Sequence, residues 1–491
     1  MALFIAMVVR RYCALGGVGE SPSVPGDSET TMANTRCPRA DESAISEFAR
    51  LARATATLAR LALAPALATL TPACGPSEPE QGGHTTVNIY SWWIAEGEEQ
   101  ALQKVIAMHE ATHPNVTVEN QPLRDAGQAR LGLTNKLEQY EPPDAYQANI
   151  GQDLFTWVNV NGKDSTQSPL ASLDQLVSVD RLDDKIRLQV TFDEKLWAVP
   201  VNIHRINSLF YNKRAFAMLK PLGINEPSET MSYDDFVNLC AALKQARPDA
   251  SVLGLGNSKR WTLEELVFED VLPSIAGPDF YEQFWSGKGN PNDLVLAQTI
   301  EQALRLADYF NSDFDTIDWP ESLGRMMATD GTNPPVLMVA SGDWAKGYLQ
   351  RTWEPDVDFG VVQFPSAKST FIYTADSLAL PLKDSATFVE SAAFLQTFAS
   401  PEAQVEFSRI KGSIPVRTDF DLGRLDTMQQ QTYAAWASSS VDHRLAMSGL
   451  IPNGYLASLA DAVDDTFTKR DKTIVLNYLK RNYTALSPYW H

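Results

Sequence analysis

The stretch TTVNIYSWWIAEGEEQALQKVIAMHEATHPNVTVEN, residues 85–120, decides the fold. Its opening, TTVNIYSWW, alternates apolar and polar residues with the period of a half-buried strand. From Glu96 to Ala111 the residues Ala101, Leu102, Val105 and Met108 recur at helical spacing and gather on one side. Alternation resumes in NVTVEN, residues 115–120. Strand, helix and strand in this order make a β-α-β unit, the building block of a mostly parallel sheet.

The same stretch carries a competing signal. His109, Glu110 and His113 spell H-E-x-x-H, in which two imidazoles four residues apart grip one zinc ion while the glutamate activates a bound water. Pro114 opposes this reading, because the residue before a proline is driven out of the helical region and His113 is left on a fraying end. A third ligand has no marked position: the chain runs on as Asn115, Val116, Thr117, Val118, a strand. The expectation is a surface helix end, with a zinc metalloprotease as the rival.

Working outward, 491 residues allow two domains. With 41 Lys+Arg against 61 Asp+Glu, the net charge of −20 repels phosphate backbones, which excludes nucleic acid as a partner. Cys13, Cys37, Cys74 and Cys240 match no zinc or redox spacing, and the body holds only Cys240, expected to be a buried, inert thiol. Arg36, Arg39, Arg50, Arg53 and Arg60 precede LALAPALATLTPAC, residues 61–74, a basic flank and an apolar run too short to span a membrane. Residues 1–74 are therefore a secretory leader, with Met1 or Met32 as the start. Ending on Cys74, it resembles a bacterial lipoprotein signal in which that cysteine is acylated, although Thr71 stands where an aliphatic residue is usual; ordinary cleavage nearby is the alternative. GPSEPEQGG, within the linker 75–84, is a flexible tether to an extracytoplasmic body.

Further strands are expected at PPDAYQANI, LWAVPVN, SLFYN, PPVLMVASGDW, DFGVVQFP and SLALPL. Helices are expected at Tyr233 to Gln245, Leu263 to Leu272, Leu294 to Phe310, Ala386 to Phe398 and Pro401 to Ile410, and from about Gln429 to Tyr483 the chain reads as almost wholly helical. Polar and aromatic residues collect where strands end: Trp92 and Trp93, then Asp144, Gln147 and Asn149, then Asp343 and Trp344, then Asp376. Open α/β sheets bind ligands at such ends.

IYSWW, MHEATHPNVTVE, EPPDAYQANIGQD, LWAVPVNIHRINSLFYNK, ASGDWAKGY, TADSLALP and IKGSIPVR together resemble the sugar-binding proteins of bacterial ABC importers, glucose/mannose branch, over Val87 to Lys469. In that family the helix-ending HP simply leads into the second strand. The resemblance implies a two-lobed, Venus-flytrap α/β fold, each lobe a mixed, mostly parallel sheet flanked by helices, with a helical C-terminal region. It divides the chain into an N-terminal lobe of 85–200 plus 359–412 and a C-terminal lobe of 201–358 plus 413–491. It implies no catalysis and no cofactor, and a monomer that carries a mono- or small oligosaccharide to permease subunits.

Position by position, the resemblance puts Trp92 and Trp93 at the cleft mouth, Glu98 at the start of the next helix and Gln147 as a polar finger of the first lobe. Trp261 and Trp344 become aromatic platforms of the second. Asp376 and Lys411 fall where the family binds sugar hydroxyls with a carboxylate and an ammonium. His204, in a crossing segment, either touches ligand or braces the hinge. Asn149 and Met447 stand where glucose-binding relatives carry histidines, so the identity of the sugar does not carry over. Other readings stay open: a polyamine or glycerol phosphate in the same fold, or a glycoside hydrolase using Glu98 and Asp376.

Overall fold

The computed structural model describes residues 83–121, 133, 136, 141–158, 165–178, 180–328, 335–383, 385 and 387–484; the leader, Cys74 and most of the linker lie outside them. The opening unit forms as its pattern predicts. Strand β1 (Thr85–Tyr90) pairs in parallel with β2 (Val116–Asn120), Thr85 opposite Val116, and the helix Glu96–Thr112 crosses between them. That helix buries Ala101, Leu102, Val105 and Ile106 because they share one face, and they close over Val87, Ile89 and Phe398.

The first sheet holds β1, β2, β3 (Ala145–Asn149), β6 (Ala198–Pro200) and β13 (Asp376–Ala379), in the order β2-β1-β3-β13-β6. The hairpin of β4 (Thr191–Phe192) and β5 (Lys195–Leu196) lies outside it. A second sheet runs β11-β8-β10-β9, from β8 (Ser208–Asn212), β9 (Ser251–Gly254), β10 (Val336–Ala340) and β11 (Phe359–Gln363). The sheets are mixed, but parallel pairs do not predominate: β13 runs antiparallel to both β3 and β6, and β8 antiparallel to both β10 and β11. Each reversed strand adjoins a segment that passes between the two halves and must return in the opposite direction.

A third sheet, absent from the sequence reading, joins those halves. It consists of β7 (His204–Arg205), β12 (Thr370–Thr374) and β14 (Asp442–Leu445), with β12 in the middle. Successive side chains of a strand point to opposite faces. Phe371 and Tyr373 accordingly enter the core around the first sheet, whereas Ile372 enters the core around the second. One strand thus forms a wall shared by both cores.

Two expected boundaries move. Phe359–Gln363 pairs with β8 and belongs with the second sheet, not with the N-terminal lobe. Ile414, Val416, Leu425 and Trp436 pack into the first core, not the second. The C-terminal region is mostly helical but contains β14. Cys240 is fully buried, and burial pushes its thiol pKa well up, which makes it inert. Among the described residues no helix is long and apolar enough to cross a membrane.

Candidate ligand-binding site

A buried polar array sits where the two cores meet. Asp376 opens β13 opposite Asn149 of β3, and Gln147 lies two residues earlier on that strand. The Gln147 Nε2 donates to Asp376 Oδ1 at 2.7 Å, while its Oε1 accepts from the Trp92 amide at 3.0 Å, so the amide's orientation is fixed at both ends. Lys411 ends the helix Pro401–Lys411 just before Gly412, whose positive φ of 101° turns the chain away. Its Nζ lies 2.6 Å from Asp376 Oδ2 and 3.4 Å from Glu98 Oε1, a carboxylate in the first turn of Glu96–Thr112.

The other half contributes His204, Asp343 and Trp344. His204 Nδ1 is hydrogen-bonded to Asp343 Oδ1, and its Nε2 lies 3.2 Å from Asp376 Oδ2 and 2.8 Å from Asn202 Nδ2. Asn202 Oδ1 accepts from the Asp376 amide at 3.0 Å, and the second Asp343 oxygen accepts from the Arg205 amide at 3.0 Å. Trp344 meets the His204 ring edge-on at 5.3 Å, and Trp261 stands 6.0 Å from Trp344. Gly342 is required beside it, since a Cβ there would fall 2.2 Å from the Trp344 ring.

Burial sets the electrostatics. For Asp376 burial alone favours the neutral acid, but Lys411 and His204 reverse this and hold its pKa below the usual carboxylate range. For His204 burial disfavours the cation, and Asp343, with hydrogen bonds to both carboxylates, more than restores it, so its pKa is raised. Glu98 is raised because burial outweighs the pull of Lys411. The result is an alternation of acidic and basic groups, Glu98, Lys411, Asp376, His204 and Asp343, that crosses from one half to the other. Glycines let the halves approach this closely: a Cβ on Gly97 would meet the Gly347 carbonyl carbon at 2.6 Å, and one on Gly347 would meet the Lys411 carbonyl oxygen at 2.4 Å.

The family model for bacterial extracellular solute-binding proteins matches residues 103–437. The chain belongs to this family. It is 28% identical to an uncharacterized ABC transporter extracellular-binding protein of Pyrococcus horikoshii over 424 residues, 84% of this chain and 91% of that one. It is 24% identical to a probable sugar-binding periplasmic protein of Brucella suis, over 78% of this chain and 87% of the relative. The fold superposes on a chitin oligosaccharide binding protein with a TM-score of 0.68 at 16% identity, covering 82% of this chain and 99% of that one.

Within this solute-binding protein the structure brings Trp92, Glu98, Gln147, His204, Trp261, Trp344, Asp376 and Lys411 toward one region. Asn149 lies at its edge, its backbone amide donating to Asp153 at 3.0 Å. Trp93 is a correction. It is 0% exposed and wedged between Phe398 and Phe407, under Lys411, in a tight turn closed by the Ile94 amide donating to the Trp92 carbonyl at 2.9 Å, while Trp92 stays half-buried. Met447 is buried with its amide on Glu269. Cys74 lies outside the described residues.

The H-E-x-x-H segment is a helix end at the surface, as expected, with Ala111 and Thr112 exposed, but its first histidine turns inward. His109 is 0% exposed and bonds Thr397 Oγ1 at 2.8 Å, and burial lowers its pKa to about 4. His113 stacks on it at 4.1 Å, and Glu110 accepts the Val118 amide of β2 at 2.9 Å instead of facing a metal. Among the described residues no cluster of His, Cys, Asp or Glu suits a metal ion. Asn202, carried by the VPVNIHR match, was not expected in the site, and Asp343, expected only as a strand-end residue, proves to bond His204 within the array.

Proposed function

We propose that this solute-binding protein is the extracytoplasmic sugar receptor of an ABC importer. It binds a mono- or small oligosaccharide between the two halves and delivers it to the permease, acting as a monomer, not as an enzyme, and anchored through an acylated Cys74. The observation that carries the reading is the juxtaposition of Gln147, Asp376, Lys411 and Glu98 from the first half with Trp344 and Trp261 from the second. A pyranose offers C–H faces to indole rings and a rim of hydroxyls to charged groups, and each hydrogen bond to a charged partner contributes about 1.5–3 kcal/mol. A ligand touching both halves binds the closed arrangement better and shifts the population toward it. The sugar-binding descriptions of the Brucella relative and the chitin-oligosaccharide neighbour support this class. The exchange of two family histidines for Asn149 and Met447 leaves the identity of the sugar to experiment.

A thermal-shift screen over monosaccharides and disaccharides tests it, since a ligand bound only by the folded state raises Tm. At least one sugar raises Tm by several degrees at millimolar concentration. Stabilisation by putrescine, spermidine or glycerol 3-phosphate, with none by any sugar, would replace the sugar with that solute.

A further inference from the structure

Trp261 is not the end of the site. Beyond it lies a cavity of about 10 Å³, room for one water-sized group, lined by Trp261, Glu265, Asp270, Trp319 and Ser341. Asp270 is 2% exposed, yet its Oδ1 has no hydrogen-bond partner among the described residues; neither has the buried Oε1 of Glu265. Burial pushes both carboxyl pKa values well above the ordinary range, reinforced by Asp270 and Glu269 at Glu265 and by Glu269 at Asp270. A buried acceptor left unpaired costs about 1–3 kcal/mol, so a pair beside one cavity calls for a function.

The backbone is shaped to bring them together. Residues five apart on an α-helix lie about 140° apart around the axis. Here the helix widens into a π turn over Leu266–Val271, a form that closes bonds between residues five apart and recurs at functional sites. Glu265 and Asp270 can thus line the same cavity. Their neighbour Glu269 shows the ordinary fate of a buried carboxyl in this helix: it accepts from the Tyr281 hydroxyl at 2.5 Å and from the Met447 amide at 2.7 Å. Trp261, which lines the cavity, meets Trp344 edge-on at 6.0 Å, and Trp344 meets His204 of the charged array at 5.3 Å.

We propose that Glu265 and Asp270 form a subsite that receives one hydroxyl-bearing substituent of the bound sugar, held past the Trp261 and Trp344 faces. This rests on the sugar-receptor reading. One small hydroxyl group fills the space, donates to one carboxyl and accepts from the other when that is protonated, and satisfies both. A sugar lacking that hydroxyl strands the pair again, which is how such a site discriminates.

The test is calorimetric, on the full chain and its Asp270→Asn and Glu265→Gln variants. Probes are D-glucose, D-galactose, D-xylose, L-arabinose, maltose and D-glucosamine, then the monodeoxy forms of each sugar that binds. The expected result is that one deoxy form binds the native protein at least tenfold more weakly, and that this penalty shrinks to less than threefold in Asp270→Asn, whose ligand-free Tm is not lowered. Should Asp270→Asn fail to fold, Glu265→Gln, at a half-buried position, carries the same comparison. Sugar binding with undiminished deoxy penalties in both variants overturns the subsite while leaving the receptor reading intact. Binding of D-glucosamine alone makes it an ammonium site and overturns it too. Absence of binding to every sugar brings down the receptor reading, and the subsite with it.

Discussion

Asp376 and Asp270 are both carboxyl groups almost sealed from water, one in each half, and their surroundings are opposite. Asp376, 3% exposed, is met by Lys411, His204 and Gln147. Asp270, 2% exposed, has an oxygen without any partner among the described residues. The first wall is electrostatically complete, so it holds its shape and presents an oriented polar rim to a guest. The second wall keeps groups in want of hydrogen bonds beside indole rings. Preorganisation on one side and unmet demand on the other is a division that suits a receptor which must close on a neutral, hydroxyl-rich molecule.

Substitutions should expose that contrast, and the largest effect is expected at Lys411. Lys411→Met leaves Asp376 and Glu98 buried without their cation; breaking a buried pair in this way costs about 3–5 kcal/mol. Urea denaturation should show a loss of unfolding free energy of that size, and a change under 1 kcal/mol would mean that the array is not the rigid wall described.

Next comes Trp344→Ala. Its ring is half-buried and lies between His204 and Trp261, so sugar affinity should fall by tenfold to a hundredfold, about 1.4–3 kcal/mol, with unfolding still cooperative. Equal affinity of native and variant protein in a fluorescence titration would remove the second wall from the site.

The paired substitutions Asp376→Asn and Asp270→Asn compare the walls directly. The first should lower Tm at pH 7, because Lys411 and His204 lose their shared anion. The second should leave Tm unchanged or raise it, a stability change of about 1 kcal/mol or less, because it removes a carboxyl with an unpaired oxygen. Equal losses from both would erase the distinction.

The smallest effect concerns Glu269. Burial pushes its carboxyl up to about 7, against the opposing hydrogen bonds from Tyr281 and Met447. The folded protein therefore holds this proton more tightly than the unfolded chain, so the group adds stability below about pH 4.5 that is lost as pH rises through about 7, at most about 3 kcal/mol. Tm followed from pH 4.5 to 8 should decline less in Glu269→Gln than in the native protein; parallel curves would show that Glu269 titrates as in an unfolded chain.

Legibility in the sequence followed the geometry of each element. The unit of residues 85–120 was readable because one face of each strand and one stripe of the helix are buried, which writes periods of 2 and 3.6 into the residues. TFIYT, residues 370–374, escaped because both its faces are buried, Phe371 toward one core and Ile372 toward the other, so no alternation remains. DHRL, residues 442–445, escaped because it is a polar edge strand with one neighbour. The π turn hides inside LEELVFEDVL, residues 263–272, which reads as ordinary helix.

For the site, Gln147, Asp376 and Lys411 were found through segments resembling a known family. Trp93 was misplaced because the tight turn that carries its indole into the core beside Phe398 and Phe407 leaves no mark in the pattern of apolar residues. The need of Glu265 and Asp270 for partners exists only in three dimensions, since it depends on what fails to reach them.

The central claim is that one sugar is held by side chains from both halves. Calorimetric titration of the most stabilising sugar into native, Gln147→Ala and Trp344→Ala proteins tests it most directly. The account predicts one site on the native chain and at least a tenfold rise in Kd for each variant, one from either wall. A native-like Kd in either variant would contradict it.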